Sequence, residues 1–221
     1  MNVKEIFCSI QGEGPDVGTP AIFVRFKGCH IKCWFCDDKT YEGGETATPS
    51  SILQVVDGFS ESIPMVVLTG GEPILQPVLE LRELILGLRE RGKRVQIETS
   101  GVVWYSELTP LFVGDDCTVI CSPKTERIHP DVEKIARAFK YIIDCEDLLD
   151  SKDGLPLYDV KKSGYLARPP KHIDRGRWVF VQPCDVSDVQ RRQRNIELCI
   201  RLAKEHGYRI SLQVHKILGL P

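Results

Sequence analysis

Apolar residues fall in short runs along this chain, each closed by a turn and several followed by a stretch with helical spacing. Residues 21–26 (AIFVRF), 65–69 (MVVLT) and 95–99 (VQIET) read as strands that stop at Gly28, at Gly70-Gly71 and at Ser100-Gly101. Residues 118–121 (TVIC), 139–143 (FKYII) and 178–181 (WVFV) read the same way, and 209–214 is a candidate seventh strand. Between the second and third runs, residues 77–91 carry Val78, Leu81, Leu84, Ile85 and Leu88 at helical spacing. A second helix is predicted after Ser187, with Val189, Ile196, Cys199, Leu202 and Ala203 at the same spacing. Ser187 suits its start and Gly207 its left-handed exit. Residues 147–176 are polar, turn-rich and aperiodic, and read as irregular surface structure.

Strands alternating with helices predict an α/β fold of βα units around a mainly parallel sheet. About six core strands in 221 residues are too few for a closed eight-stranded barrel, so an incomplete, open barrel is expected. Its chemistry belongs at the carboxyl ends of the strands. The unusual residues gather there: three cysteines after the first run, Gly-Gly-Glu-Pro after the second, Ser-Pro-Lys after the fourth. No repeat, low-complexity segment or linker interrupts residues 1–221, which are read as one domain.

Composition narrows the function classes. Hydrophobic residues at 42% and charged residues at 27% are those of an ordinary soluble globular protein. The 29 Lys and Arg nearly cancel the 31 Asp and Glu, and no basic stripe is present, so nucleic acid is not an expected partner. No apolar run reaches the ~18 residues of a membrane span, and the first residues do not read as a secretory leader. A cytoplasmic location with no membrane association is therefore expected. Nine cysteines, an odd number, argue against a disulfide framework and for metal, redox or packing roles.

Cys29-x3-Cys33-x2-Cys36 is the sharpest feature. Three thiolates so close together can ligate one metal centre, and sulfur ligands select zinc, copper(I) or iron–sulfur clusters. A structural zinc site and an ordinary [4Fe–4S] site both want four ligands. Three cysteines would leave one iron of a cubane open to an exogenous head group. The zinc alternative needs His30 as fourth ligand, and its place directly after Cys29 is poor spacing for that. The remaining cysteines, Cys8, Cys117, Cys121, Cys145, Cys184 and Cys199, sit singly and read as small core residues.

The cysteine loop, with Phe35 before its last cysteine, resembles the signature of the radical S-adenosylmethionine (SAM) superfamily. The resemblance implies a [4Fe–4S] cluster on Cys29, Cys33 and Cys36 that reduces SAM to methionine and a 5′-deoxyadenosyl radical. Gly70-Gly71-Glu72-Pro73 is similar to the motif that holds the SAM amino group. By the same matching, Phe35, Glu98, Ser122, Lys124 and Gln182 fall where SAM contacts are expected.

The flanks narrow the resemblance further. Residues 5–14 (EIFCSIQGEG), Phe23-Val24-Arg25, and a tail of 211–216 (SLQVHK) ending in Gly219-Leu220-Pro221 are similar to the 7-carboxy-7-deazaguanine synthase family. That resemblance runs the length of the chain. It implies conversion of 6-carboxy-5,6,7,8-tetrahydropterin into 7-carboxy-7-deazaguanine with loss of ammonia, in the biosynthesis of queuosine and other 7-deazapurines. It also implies catalytic use of SAM, assistance by Mg2+, a flavodoxin- or ferredoxin-type electron donor, and a homodimer.

A pterin presents donors on its aminopyrimidinone edge and, here, a carboxylate on the other ring. Gln11, Glu13 and the terminal carboxylate of Pro221 are the candidate acceptors, and Arg25 and His215 the candidate donors. Each has a blander reading: Pro221 as a frayed end, His215 as a core histidine, Gln11 and Glu13 as turn residues, Lys124 as a surface lysine. Arg25, inside an apolar strand, must meet a ligand or an acid, with Glu13 or Glu98 as the internal alternatives. The family's magnesium ligand, a Thr or Ser two residues after the last cysteine, is replaced here by Asp38, and Thr40 is the alternative. Aspartate is the harder donor of the two. Two rival functions remain at this stage: a glycyl-radical activating enzyme acting on a protein, and an electron-transfer or zinc-stabilised binding protein.

Overall fold

The computed structural model describes residues 1–37, 43–171 and 178–221. The chain opens with β1 (Asn2–Ile10), which turns back antiparallel onto β2 (Pro20–Phe26), and the two-residue β3 (Glu45–Thr46) adds to the other side of β1. Helix α1 (Pro49–Asp57) leads into β4 (Met65–Gly70), and α2 (Val78–Glu90) into β5 (Arg94–Thr99). Then come β6 (Cys117–Cys121), the short α3 (Pro130–Ile135), β7 (Ala136–Ile143) and β8 (Trp178–Pro183). Helix α4 (Val189–His206), β9 (Arg209–Ile210) and α5 (Val214–Ile217) complete the chain. The sheet order is β3-β1-β2-β4-β5-β6-β7-β8-β9, and every pairing from β2 to β9 is parallel. The two outermost strands do not pair, so the α/β sheet is an incomplete barrel, as the sequence predicts.

The alternation of the strands sorts two faces. Ile22, Val24, Phe26, Val66, Leu68, Val95, Ile97, Val119, Phe139, Tyr141 and Val181 are buried in one core with Ile52, Val56, Leu81, Leu84, Ile85 and Leu88 of α1 and α2. The positions between them form the other face. Part of that face is apolar, with Ala21, Met65 and Val67 packed together near the strand starts and Ile120, Ala138 and Phe180 forming a second cluster that reaches the cavity at Ile120. Towards the strand ends it turns polar, with Thr69, Glu98, Lys140 and Gln182. A period of two thus delivers a polar set to the carboxyl end of the sheet.

Four readings need correction. Helix α4 is capped by Asp188, whose carboxylate accepts from the amides of Gln190 and Arg191, and not by Ser187; Gly207 does take the left-handed exit, at φ 72°. Val189 is exposed at the first turn, and the buried polar residue of that helix is Asn195, which ties the Cys145 amide to the Cys184 carbonyl. The seventh strand stops at Ile210; the Ser211 amide still donates to the Val181 carbonyl, while its hydroxyl donates to Gln182 and accepts from the Gly14 amide. Of the six single cysteines, Cys117, Cys121, Cys184 and Cys199 are buried, whereas Cys8 is exposed and Cys145 partly so. From residue 147 to 171 only two isolated bridges form, Leu149 with Pro156 and Tyr158 with Tyr165, consistent with irregular structure.

Candidate active site

At the carboxyl end of the sheet lies a cavity of about 590 Å³, in the range of small-molecule sites. Its wall includes Cys29, Cys33, Phe35 and Cys36 from the loop after β2, and Gly70, Gly71 and Glu72 from the turn after β4. Glu98, Ser122, Lys124 and Gln182 face it from the ends of β5, β6 and β8. Gln11, Glu13, Arg25, His215 and Pro221 close it from β1–β2 and the tail. The structure therefore brings together every candidate that falls on described residues. Asp38 and Thr40, the magnesium candidates, lie outside them.

Backbone proximity explains the paired glycines. A Cβ on Gly71 would stand 1.9 Å from the Gly28 carbonyl oxygen, and one on Gly70, itself at φ +98°, 2.5 Å from that of Phe26. The Gly71 amide donates to Phe26 O at 2.8 Å and the Glu72 amide to Gly28 O at 2.8 Å. The buried Glu72 carboxylate turns to the end of β5. It accepts from Thr99 Oγ1 at 2.7 Å, the Ser100 amide at 2.9 Å and Ser100 Oγ at 2.5 Å.

Among the described residues no three His, Cys, Asp or Glu side chains are gathered as a metal-binding group, and His30 is exposed and off the cavity wall. None of the nine cysteines is in a disulfide. Burial pushes the Cys33 thiol up to about 11 and raises that of Cys29, with the cation of Lys124 working in the opposite direction. Three sulfurs on one loop, all on the wall of a single cavity and beside a cation, fit the donor set of an iron–sulfur cluster with one open iron. Lys124 donates to Ser122 O and Oγ and stands 5.8 Å from the Phe35 ring centre, and burial lowers its pKa.

Arg25 meets neither Glu13 nor Glu98. Its guanidinium pairs with Glu5 at 2.8 Å, directly across the β1–β2 register, and lies 4.7 Å from the Phe7 ring centre. Gln11 donates to Glu98 at 3.1 Å and accepts from the Glu13 amide, while Glu98 also accepts from Gln96 and Thr69. Glu13 accepts from Gln182 at 3.1 Å and Gln213 at 3.0 Å and forms an ion pair with Lys140. Burial works against the Glu13 charge, and the Lys140 charge and hydrogen bond together with the Gln213 amide outweigh it, so the carboxyl titrates below its usual range. The tail is strapped down: Lys216 bridges Asp37 at 2.8 Å and Asp185 at 2.7 Å, Val214 N bonds Gly12 O, and Ser9 Oγ donates to Pro221 O. His215 packs directly on Gly12, whose missing Cβ makes the room.

Lys140, Gln213, Lys216 and Asp37 also line the cavity, although the sequence analysis did not single them out. Lys140 had one available signal, a lysine inside an otherwise apolar strand.

With this geometry in place, kinship becomes informative. Residues 23–113 match the radical SAM superfamily. The chain is 36% identical to a 7-carboxy-7-deazaguanine synthase of Rhodospirillum rubrum, over 99% of this chain and 92% of that one. The chain belongs to the 7-carboxy-7-deazaguanine synthase family. A synthase of Rickettsia prowazekii is 34% identical over the whole of this chain and 88% of its own, and one of Aquifex aeolicus 31% identical over 99% and 93%. QueE from Escherichia coli shares the fold, with a TM-score of 0.67 at 24% identity, covering 96% of this chain and 92% of that structure. The fold is also shared by anSMEcpe with bound AdoMet, at a TM-score of 0.52 and 12% identity over 88% of this chain and 64% of that one. Membership in this synthase family places the chain among radical SAM enzymes rather than among zinc-stabilised binding or electron-transfer proteins.

Proposed function

We infer that this chain is a 7-carboxy-7-deazaguanine synthase, a radical SAM lyase that contracts the ring of 6-carboxy-5,6,7,8-tetrahydropterin with loss of ammonia. The observation that carries the reading is the single cavity whose wall holds the three-cysteine loop, the Gly70-Gly71 turn, and an opposed set of carboxylates and cations. Cys29, Cys33 and Cys36 would hold a [4Fe–4S] cluster, which with bound SAM supplies a one-electron route to a hydrogen-abstracting radical. Gly70, Gly71, Phe35, Ser122, Lys124 and Gln182 are the residues assigned to SAM, and Glu72 and Glu98 border it.

The protein's own groups then bind and orient the pterin. Gln11, Glu13 and the carboxylate of Pro221 offer acceptors to its amino and ring N–H groups. Arg25 and His215 offer donors to its carboxylate, a charge-assisted arrangement that also fixes the ring's direction. Product composition equals substrate less one ammonia, so no external oxidant or reductant is consumed overall, in keeping with SAM used catalytically. Mg2+, held by Asp38 or Thr40, would order the substrate charge. The cytoplasmic location, homodimer and flavodoxin- or ferredoxin-type donor belong to this reading, as does the absence of nucleic-acid and membrane partners. No helix among the described residues is long and apolar enough to cross a membrane.

Ammonia release tests the substrate assignment. Anaerobically reconstituted, reduced protein with SAM is given the carboxylated tetrahydropterin or its analogue without the carboxylate. Release from the carboxylated compound alone is expected. Equal release from both would overturn the roles of Arg25 and His215, and release from neither would overturn the function.

A further inference from the structure

Lys140, ion-paired with Glu13, is a buried charge on the cavity wall to which neither SAM binding nor the assigned pterin contacts give a role. Lys140 projects from the middle of β7, is only 6% exposed, and sits between Ala138 and Ile142 on the inner face. A buried lysine is costly unless paired. Its partner comes from the far end of the sequence, in the turn between β1 and β2.

Glu13 is held by donors from three separate elements: Lys140 of β7, Gln182 of β8 and Gln213 ahead of α5. The two amides share Oε1, and Lys140 takes Oε2. A carboxylate has about four acceptor sites, so these donors fix the group's orientation and leave capacity on Oε2. Other charges face the same group: Asp37 on the cysteine loop, His215 on α5 and Lys124 after β6. Asp37 opposes the Glu13 charge, and Glu98 adds a further negative charge that Lys140 meets. Without Lys140, a largely buried carboxylate would face two others with only half-buried or more distant cations to offset them.

We propose that Lys140 is a positioning residue that keeps Glu13 ionised and oriented as an acceptor for the donor edge of the pterin. The inference rests on the proposed function, in which Glu13 meets the substrate. Lys140 itself touches Glu13 and not the reacting atoms. Its removal therefore acts on substrate affinity and on the pH dependence of that affinity, rather than on cluster assembly or SAM binding.

The test measures binding of 6-carboxypterin, by quenching of its fluorescence, to the reconstituted protein from about pH 6 to about pH 9, the span in which buried carboxyls titrate. Dividing each variant's Kd by the wild-type Kd at the same pH removes the ligand's own titration. Lys140→Met is expected to bind about tenfold more weakly at neutral pH, the ratio for one unit of displaced titration, and the deficit should shrink as pH rises and Glu13 ionises. Lys140→Arg, which restores the charge, should recover most of the affinity. Lys140→Met with Glu13→Gln leaves no unpaired charge and so guards against misfolding; it should bind weakly with a pH-independent ratio. A Lys140→Met ratio that stays near one, or a deficit that does not change with pH, overturns the inference. If the wild-type protein fails to bind the carboxypterin at any pH, the functional reading falls and the inference falls with it.

Discussion

Gly71 lies against Gly28 so closely that a side chain on Gly71 would stand 1.9 Å from the Gly28 carbonyl oxygen. Two motifs that are separate in sequence are thus one backbone assembly, stitched by the Gly71 amide to Phe26 and the Glu72 amide to Gly28. The turn after β4 sets where the cysteine loop begins. Gly71→Ala must displace one backbone from the other, at a cost of about 1–3 kcal/mol for overpacking. The variant should keep its far-ultraviolet circular dichroism and take up less iron and sulfide on anaerobic reconstitution. Wild-type iron content in that variant would contradict the coupling.

Arg25 and Cys33 line the same cavity and serve different partners. Cys33→Ala should abolish cluster assembly and all SAM cleavage. Arg25→Ala should leave the cluster intact and weaken carboxypterin binding by about 1.5–3 kcal/mol, the worth of a charged hydrogen bond. Its pair with Glu5 is partly exposed on both sides, so Glu5→Ala should cost at most about 1 kcal/mol of stability. Equal loss of iron in the Arg25 and Cys33 variants would make Arg25 structural.

Asp144 is 1% exposed and receives two hydrogen bonds from Arg191, at 3.0 Å and 2.5 Å, at the mouth of β7. Arg191→Ala would leave that carboxylate buried and without its cation, at a cost of about 3–5 kcal/mol in urea unfolding. Asp144→Asn with Arg191→Met should recover most of the loss. A single Arg191→Ala variant as stable as the parent would refute this account of the α4–β7 contact.

His215 ties the tail to acid behaviour. Burial pushes its imidazole below the ordinary 6.5, although the Glu13 charge pulls the other way. The unfolded chain therefore takes up this proton at a higher pH than the folded one. Its contribution to stability is intact above the ordinary value and is lost as pH falls through the lowered folded value. Amide hydrogen exchange across residues 214–221 should accelerate over that same acidic window, and an NMR titration of His215 should show its midpoint below 6.5. A midpoint above 6.5 would contradict the seat described for the tail.

Much of the fold was legible because the strands alternate cleanly between an apolar helix-facing side and an inner side that turns polar at one end. The cysteines, glycines and Glu72 were legible for a related reason, since strand ends are where the chain must depart from regular structure. Lys140 was passed over because its strand reads as apolar and its partner Glu13 lies 127 positions away, a distance that local pattern does not span. Arg25 announced that it needed an acid, but only the β1–β2 register shows that the acid is Glu5. β1 itself gave no strand signal, since most of its positions are exposed or half-buried and the alternation is faint. The seventh strand ends just before Ser211, whose hydroxyl bonds to Gln182 and Gly14 exist only once β8 and the first turn are in place.

The central claim is that one cavity both cleaves SAM and contracts the pterin. Anaerobically reconstituted protein, with reductant, Mg2+, excess 6-carboxytetrahydropterin and substoichiometric SAM, should be followed by mass spectrometry, counting 7-carboxy-7-deazaguanine formed per SAM supplied. The account predicts more than one product per SAM, with the Cys33→Ala protein giving none. Accumulation of 5′-deoxyadenosine without the deazaguanine, from a protein with a verified cluster, would contradict it.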